Sequence, residues 1–360
     1  MVKVGIIGLP STGKSTLFSL LTGAVPPAPG GRPEPRLGIA RVPDPRVEAL
    51  ARMYRPKKKT PATVEYVDMP GVAKGEGAAL VDLPALRGVD ALVHVVRAFE
   101  SEVVPHPEGS IDPLRDARML ELELILADLG AVERRLERLD ANIKKGNKPD
   151  DVAERAVFLK MKEALEAEKP LRDLALTEEE RRRVRGYALL SEKPLLLVVN
   201  MGEDQVRKAG AMLEQAGLVA FAAEGSARAV CAVSAPIEAE VAQLSVEDAQ
   251  AFREDLGLKE PGLDRVIRTS YELLGLISFL TAGEDECRAW TIRRGTRAQQ
   301  AAGEIHSDIE RGFIRAEVVA FDDLIEAGSL AACREAATLR LEGKEYAVRD
   351  GDVINFRFNV

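Results

Sequence analysis

One eight-residue run restricts what this chain can fold into. Gly8-Leu9-Pro10-Ser11-Thr12-Gly13-Lys14-Ser15 fits the spacing G-x-x-x-x-G-K-[ST]. It follows a short β-branched apolar run, Val2–Ile7, which reads as a buried strand, and it precedes Thr16–Leu21, which reads as a helix. Glycines let such a loop curl until its backbone N–H groups point inward at phosphate oxygens, and the helix that follows adds its positive end. The spacing therefore assigns Gly8, Pro10, Ser11, Thr12, Gly13, Lys14, Ser15 and Thr16 to a nucleotide-binding stretch. Lys14 places a point charge on the β- and γ-phosphates, and the Ser15 hydroxyl ligates Mg²⁺.

Such a site needs an aspartate at the end of a neighbouring strand. Val64–Val67 followed by Asp68-Met69-Pro70-Gly71 supplies one. Asp68 is expected to hold magnesium through water, and the Gly71 N–H to meet the γ-phosphate. The next residue is Val72, where Ras-like GTPases carry the glutamine that orients the attacking water. Valine cannot do this, so either another residue positions water or hydrolysis is slow. The base-reading segment is Asn200-Met201-Gly202-Glu203, after the apolar run Leu195–Val199. The guanine-reading pattern is N-K-x-D. Glu203 is one methylene longer than aspartate, and Met201 replaces the lysine that packs along the base. This disturbs a guanine-tuned bidentate contact and leaves Asn200 able to bond the N6/N7 edge of adenine. Ser234-Ala235, after the run Ala229–Val233, reads as the loop that closes over the base.

The other apolar runs, Ala91–Val96 and Leu195–Val199 among them, are bounded by Gly, Pro, Asp or Asn and predict a parallel sheet with helices between strands. Between them Leu122, Ile125, Leu129, Val132, Leu136, Leu139 and Ile143 recur at steps of three and four. That is a heptad seam on one long helix, Pro113–Ile143. Lys144–Pro149 breaks it, and Phe158, Met161 and Leu165 mark a returning helix. An antiparallel hairpin inserted into the sheet follows. Its tip is basic, with Arg134, Arg135, Arg138, Lys144, Lys145 and Lys148; this is either a solvated face or a polyanion contact. From about Leu276, alternating stretches such as Val353–Phe358 predict a small α+β domain.

A chain of 360 residues suggests two or three domains, and a net charge of −8 argues against broad electrostatic coating of nucleic acid. Cys231, Cys287 and Cys333 have no metal or disulfide spacing and read as small buried hydrophobes. No segment approaches the ~20 apolar residues of a membrane span.

Taken together, these residues resemble the Obg-like ATPase family, the YchF-type proteins. The resemblance includes the phosphate loop, Val42–Arg46, Asp68–Gly71, Lys74–Gly77, the N-x-x-E motif and the helical insertion. It is strongest over Arg288–Thr291, Ala302–His306, Glu310–Glu317, Glu342–Lys344 and Asp350–Val360. It implies a P-loop GTPase-type α/β domain with a mostly parallel sheet (1–119 and 191–275), an inserted antiparallel coiled-coil hairpin (120–190) and a C-terminal TGS domain of ubiquitin-like β-grasp fold (276–360). It further implies ATP hydrolysis at least as good as GTP hydrolysis, with Mg²⁺, and association with ribosomes. His106, in the loop Val103–Pro107, would then position the attacking water where Val72 cannot, making His106, Lys14 and Gly71 the catalytic set. By its polar, proline-flanked surroundings alone, His106 reads as a surface residue.

Two departures stand out. Aligning Glu34-Pro35 to the family's first switch places Arg32 where a threonine is expected, and Val72–Gly75 runs directly into Glu76-Gly77, shortening the second switch. The Pro/Gly-rich stretch Val25–Pro35 is expected to be mobile without nucleotide. The expectation is a slowly hydrolysing, cytoplasmic, monomeric nucleotide switch that contacts the ribosome or ribosomal RNA through the TGS domain and the hairpin tip, with no membrane or DNA partner. The alternative is a ribosome- or RNA-binding module that uses nucleotide as a structural ligand.

Overall fold

A computed structural model describes residues 2–25, 34–70, 83–146, 148–225 and 227–359. Gly71, Val72, Lys74–Gly77, Arg32 and most of Val25–Pro35 lie outside the described residues. The chain packs as two compact units, residues 1–39 with 65–273 and residues 40–64 with 274–360. The described strands are β1 (Lys3–Ile7), β2 (Arg36–Arg41), β3 (Lys58–Thr60), β4 (Thr63–Asp68), β5 (Ala91–Arg97), β6 (Leu195–Asn200), β7 (Arg228–Val233), β8 (Leu276–Thr281), β9 (Glu286–Arg293), β10 (Phe313–Ala320), β11 (Arg340–Glu342) and β12 (Asp352–Phe358).

The first sheet runs β2-β4-β1-β5-β6-β7. The pairs β1–β4, β1–β5, β5–β6 and β6–β7 are all parallel. Every residue of β5 and β6 is buried, as expected of central strands covered on both faces. The register sets Ile6 beside Asp68, Ile7 beside His94, and Arg97 beside Asn200. The strand ends that carry polar residues therefore gather at one edge of the sheet, beyond the end of β1.

The long helix, Pro113–Gly146, and its return, Pro149–Glu166, are antiparallel. Ion pairs fix their direction: Glu133 meets Lys162 at 2.9 Å, Arg135 meets Glu154 at 2.8 Å and Asp140 meets Arg155 at 2.5 Å. Glu133, further from the turn, pairs with the late residue Lys162, and Asp140, nearer the turn, pairs with the earlier Arg155. Ile125, Val132, Leu136 and Leu139 bury against Val157, Phe158, Met161 and Leu165. The predicted seam fails at its start, where Leu122 is exposed. There the helix turns Leu120 and Leu124 into the core of the sheet, with Ile7, Val67 and Leu92. Sheet packing overrides the heptad over those turns. Arg135 also departs from the expected basic tip. Its guanidinium is held by Glu154 and lies over the Tyr187 ring at 5.5 Å. Arg134, Arg138, Lys144, Lys145 and Lys148 are exposed.

The second unit has a mixed sheet, β11-β10-β12-β8-β9-β3, with the helix Ala298–Ile305 burying Ala298, Ala301 and Ala302 against Ile277, Phe279, Val318 and Phe356. Residues 40–64, assigned by sequence to the nucleotide domain, belong to this compact unit. β3 adds in parallel to β9, and Arg46 bonds both Asp44 and Asp350. Cys231, Cys287 and Cys333 are free and buried. Among the described residues no helix is long and apolar enough to cross a membrane.

Candidate functional site

β1 delivers the chain into the phosphate loop. Gly8 has φ +148°, and a Cβ there would lie 2.4 Å from the Val95 carbonyl oxygen of β5. Gly13 has φ +92°, and its Cβ would lie 2.3 Å from Asn200 Nδ2. Both motif glycines thus answer to close approach as well as to backbone conformation. The Thr12 hydroxyl donates to the Leu9 carbonyl at 3.1 Å and tightens the loop. The helix Lys14–Thr22 begins at Gly13 and buries Leu17, Phe18 and Leu21. That burial aims its N-terminus at the loop's hollow.

Lys14 is buried, and its Nζ donates to the Leu9 carbonyl at 2.5 Å. Burial pulls its ammonium down to about 8, opposed by the nearby Asp68 carboxylate. Asp68, at the end of β4, is buried in turn. Desolvation raises its carboxyl, while a hydrogen bond from Ser15 and the charges of Lys14 and Arg36 oppose the rise. Arg36 Nη1 stands 3.8 Å from Asp68 Oδ2, and Asp68 Oδ1 is buried with no hydrogen-bond partner among the described residues. Lys14, Ser15 and Asp68 therefore converge as the motif requires. A buried carboxylate oxygen left open beside a serine hydroxyl is a donor set of the kind a hard divalent cation takes, with water completing its shell.

Next to the loop lies a cavity of about 460 Å³. Gly13, Thr16, Asn200, Met201, Glu203 and Ala235 line it, all expected from sequence; Phe99, Glu100, Asp204 and Pro236 also line it and were not expected. Ser234 does not line it. It is buried, and its hydroxyl has no hydrogen-bond partner among the described residues. Met201, though it edges the cavity, is wholly buried and packed with Val199, Leu213 and Phe221. Asn200 is buried and committed on both sides. Its Nδ2 donates to the Thr12 carbonyl at 3.0 Å, and its Oδ1 accepts from the Ala235 N–H at 3.1 Å. In this arrangement the amide clamps the phosphate loop to the 235 loop. Asn200→Ala is thus expected to weaken ATP and GTP by the same factor, roughly tenfold, because it leaves two buried backbone groups unpaired and removes no base-specific contact. Calorimetric titration of both nucleotides checks this; a loss confined to ATP would mean that Asn200 reads adenine.

His106 is not the surface residue that its neighbours suggest. Its side chain is 4% exposed, with Nε2 3.0 Å from Asp116 Oδ2. Nδ1 accepts from the Glu108 N–H at 3.1 Å, while Nε2 and Asp116 Oδ2 stand at ion-pair distance without hydrogen-bond alignment. Arg115 donates to the other oxygen of Asp116 at 3.0 and 2.8 Å. Asp116, in the first turn of the long helix and wholly buried, is a neighbour of His106 that the sequence did not reveal. Its signal was available only as an acidic residue in a first helical turn, which usually serves the helix dipole.

A parallel sheet, a phosphate loop on its first strand and a buried strand-end aspartate define a P-loop nucleoside triphosphatase of the GTPase type. A family model described as a 50S ribosome-binding GTPase matches residues 3–123, and one described as the YchF-GTPase C-terminal domain, a protein of unknown function, matches residues 276–359. The chain is similar to a protein of Bacillus subtilis (strain 168) called ribosome-binding ATPase YchF, at 46% identity over 100% of both chains. It is also similar to Obg-like ATPase 1 of Oryza sativa subsp. japonica, at 37% identity over 100% of this chain and 92% of that one. The solved structure of the Schizosaccharomyces pombe YchF GTPase superposes with a TM-score of 0.85 at 32% identity, covering 99% of this chain and 97% of that one. The chain belongs to the YchF, or Obg-like ATPase, family.

Proposed function

We propose that this chain hydrolyses ATP at least as well as GTP, slowly and with Mg²⁺, as a nucleotide-dependent switch on the ribosome. The observation that carries the reading is the convergence of Lys14, Ser15 and Asp68 beside a cavity edged by Glu203 in place of the guanine-reading aspartate. Ser15 and, through water, Asp68 are the residues that fit magnesium, since Asp68 Oδ1 has no hydrogen-bond partner among the described residues. When bound, magnesium supplies charge neutralisation at the phosphate oxygens.

The chain's own residues do the rest. The loop N–H groups and Lys14 hold and neutralise the β- and γ-phosphates. Gly71, outside the described residues, stays the proposed γ-phosphate donor. His106, supported by Asp116, is the proposed water-positioning group in place of Val72. The nucleotide domain is proposed as 1–119 and 191–275, the coiled-coil hairpin as 120–190 and a TGS domain as 276–360. Ribosome or ribosomal RNA contact is assigned to that last domain and to the exposed tip residues Arg134, Arg138, Lys144, Lys145 and Lys148. The relative named as a ribosome-binding ATPase supports ribosome contact and the cytoplasmic location it entails. The proposed protein is monomeric and has no membrane or DNA partner. Phosphate release from ATP and GTP, measured side by side, tests the reading.

A further inference from the structure

Arg97 ends β5 and is among the largest wholly buried side chains, at 1% exposure. A buried cation normally has a carboxylate beside it, because desolvation of an unpaired charge is costly. The hydrogen bonds of Arg97 instead go to carbonyls of one loop. Nε donates to Phe99 O and Nη2 to Val104 O, both at 2.9 Å, and Nη1 has no hydrogen-bond partner among the described residues. The guanidinium carbon lies 4.5 Å from the Phe99 ring centroid.

The two anchored carbonyls belong to the two functional ends of that loop. Phe99 lines the cavity beside the phosphate loop. Val104 precedes Pro105-His106-Pro107, whose fixed φ angles leave the backbone little freedom between the Val104 carbonyl and the imidazole. The start of the loop is pinned as well, since the Ala98 N–H donates to Asn200 O and Gln205 Nε2 donates to Ala98 O, both at 2.9 Å. A guanidinium is a rigid planar fork, so its donors move together.

We propose that Arg97 couples occupancy of the base cavity to the position of His106, acting as a positioning residue between them. This rests on the cavity's being the base site, and it does not require His106 to be catalytic. A base seated against Phe99 shifts that carbonyl, the fork transmits the shift to Val104, and His106 follows. A purely structural Arg97 would hold the loop folded yet give His106 no sensitivity to the base.

The test is the rate of diethyl pyrocarbonate modification at His106, read by mass spectrometry on the full-length protein. His306, whose side chain is 62% exposed, gives the reference rate. The protein is saturated with Mg-ATP or with Mg-tripolyphosphate, which fills the phosphate site without a base. Wild type is expected to show His106 rates that differ about fivefold between the two ligands, a typical coupling. Arg97→Gln and Arg97→Lys, which lack the fork, should make the rates equal. Should neither variant fold, Phe99→Leu removes the ring from a half-buried position and should equalise the rates as well. Calorimetry of both ligands separates the two claims: ATP binding no tighter than tripolyphosphate would overturn the base-site reading. With ATP the tighter ligand, equal His106 rates in wild type, or a difference that persists in the folded variants, would overturn the coupling.

Discussion

Lys14→Ala lowers Mg-ATP and Mg-GTP affinity at least about 100-fold, ~2.7 kcal/mol, and leaves the fold no less stable. Lys14 lies buried at the head of its helix with its ammonium on the Leu9 carbonyl. Without a phosphate it is a desolvated cation, and burial lowers its pKa from 10.5 to about 8. The folded-state value lies below the unfolded one, so the cost to stability is full below pH 8 and is relieved as pH rises from 8 towards 10.5. Alanine removes that cost, and thermal unfolding at pH 7 should show an unchanged or higher midpoint. The same shift gives wild type a pH signature. Bound phosphates raise the ammonium's pKa again, so binding takes up a proton and affinity falls as pH rises through about 8. Calorimetry in buffers of different ionisation heat reads both effects. Wild-type affinity in the alanine variant would mean that the phosphate site lies elsewhere.

His106→Ala should slow single-turnover hydrolysis roughly 100-fold, within the range of positioned imidazoles, with nucleotide affinity unchanged to about twofold. The ring touches Asp116 and the Glu108 backbone, not the cavity wall, so its loss removes no ground-state contact with nucleotide. Asp116→Asn keeps the side chain's shape and weakens the support of the ring, so its rate should fall between the two. Hydrolysis by His106→Ala at the wild-type rate would remove His106 from the mechanism.

The sheet and its phosphate loop were legible because their signals are local. Val2–Ile7 and Leu195–Val199 are continuous β-branched runs, and the glycine spacing at Gly8 and Gly13 has few other uses. The convergence of Lys14 with Asp68 also followed, since a strand-end aspartate at that distance has a stereotyped place. What stayed hidden depends on distant partners. Lys58-Lys59-Thr60 has no apolar alternation, yet it pairs with Glu286-Cys287-Arg288 more than two hundred residues away. Leu122 keeps the heptad step, but sheet packing selects Leu120 and Leu124. Asn200 has the expected place at the cavity, but nothing in its motif shows that its amide also bonds Thr12 and Ala235. The setting of His106 lies in a loop without periodicity, and Asp116 reaches it from a helix that begins seven residues later, at Pro113.

The proposed activity is nucleotide hydrolysis that does not favour guanine. Steady-state phosphate release from ATP and from GTP, side by side at saturating magnesium with Lys14→Ala as the blank, measures it most directly. Slow release above the blank is expected with both nucleotides, with ATP turned over at least as efficiently as GTP. Release at the blank level with both, or a tenfold preference for GTP, about 1.4 kcal/mol, would contradict it.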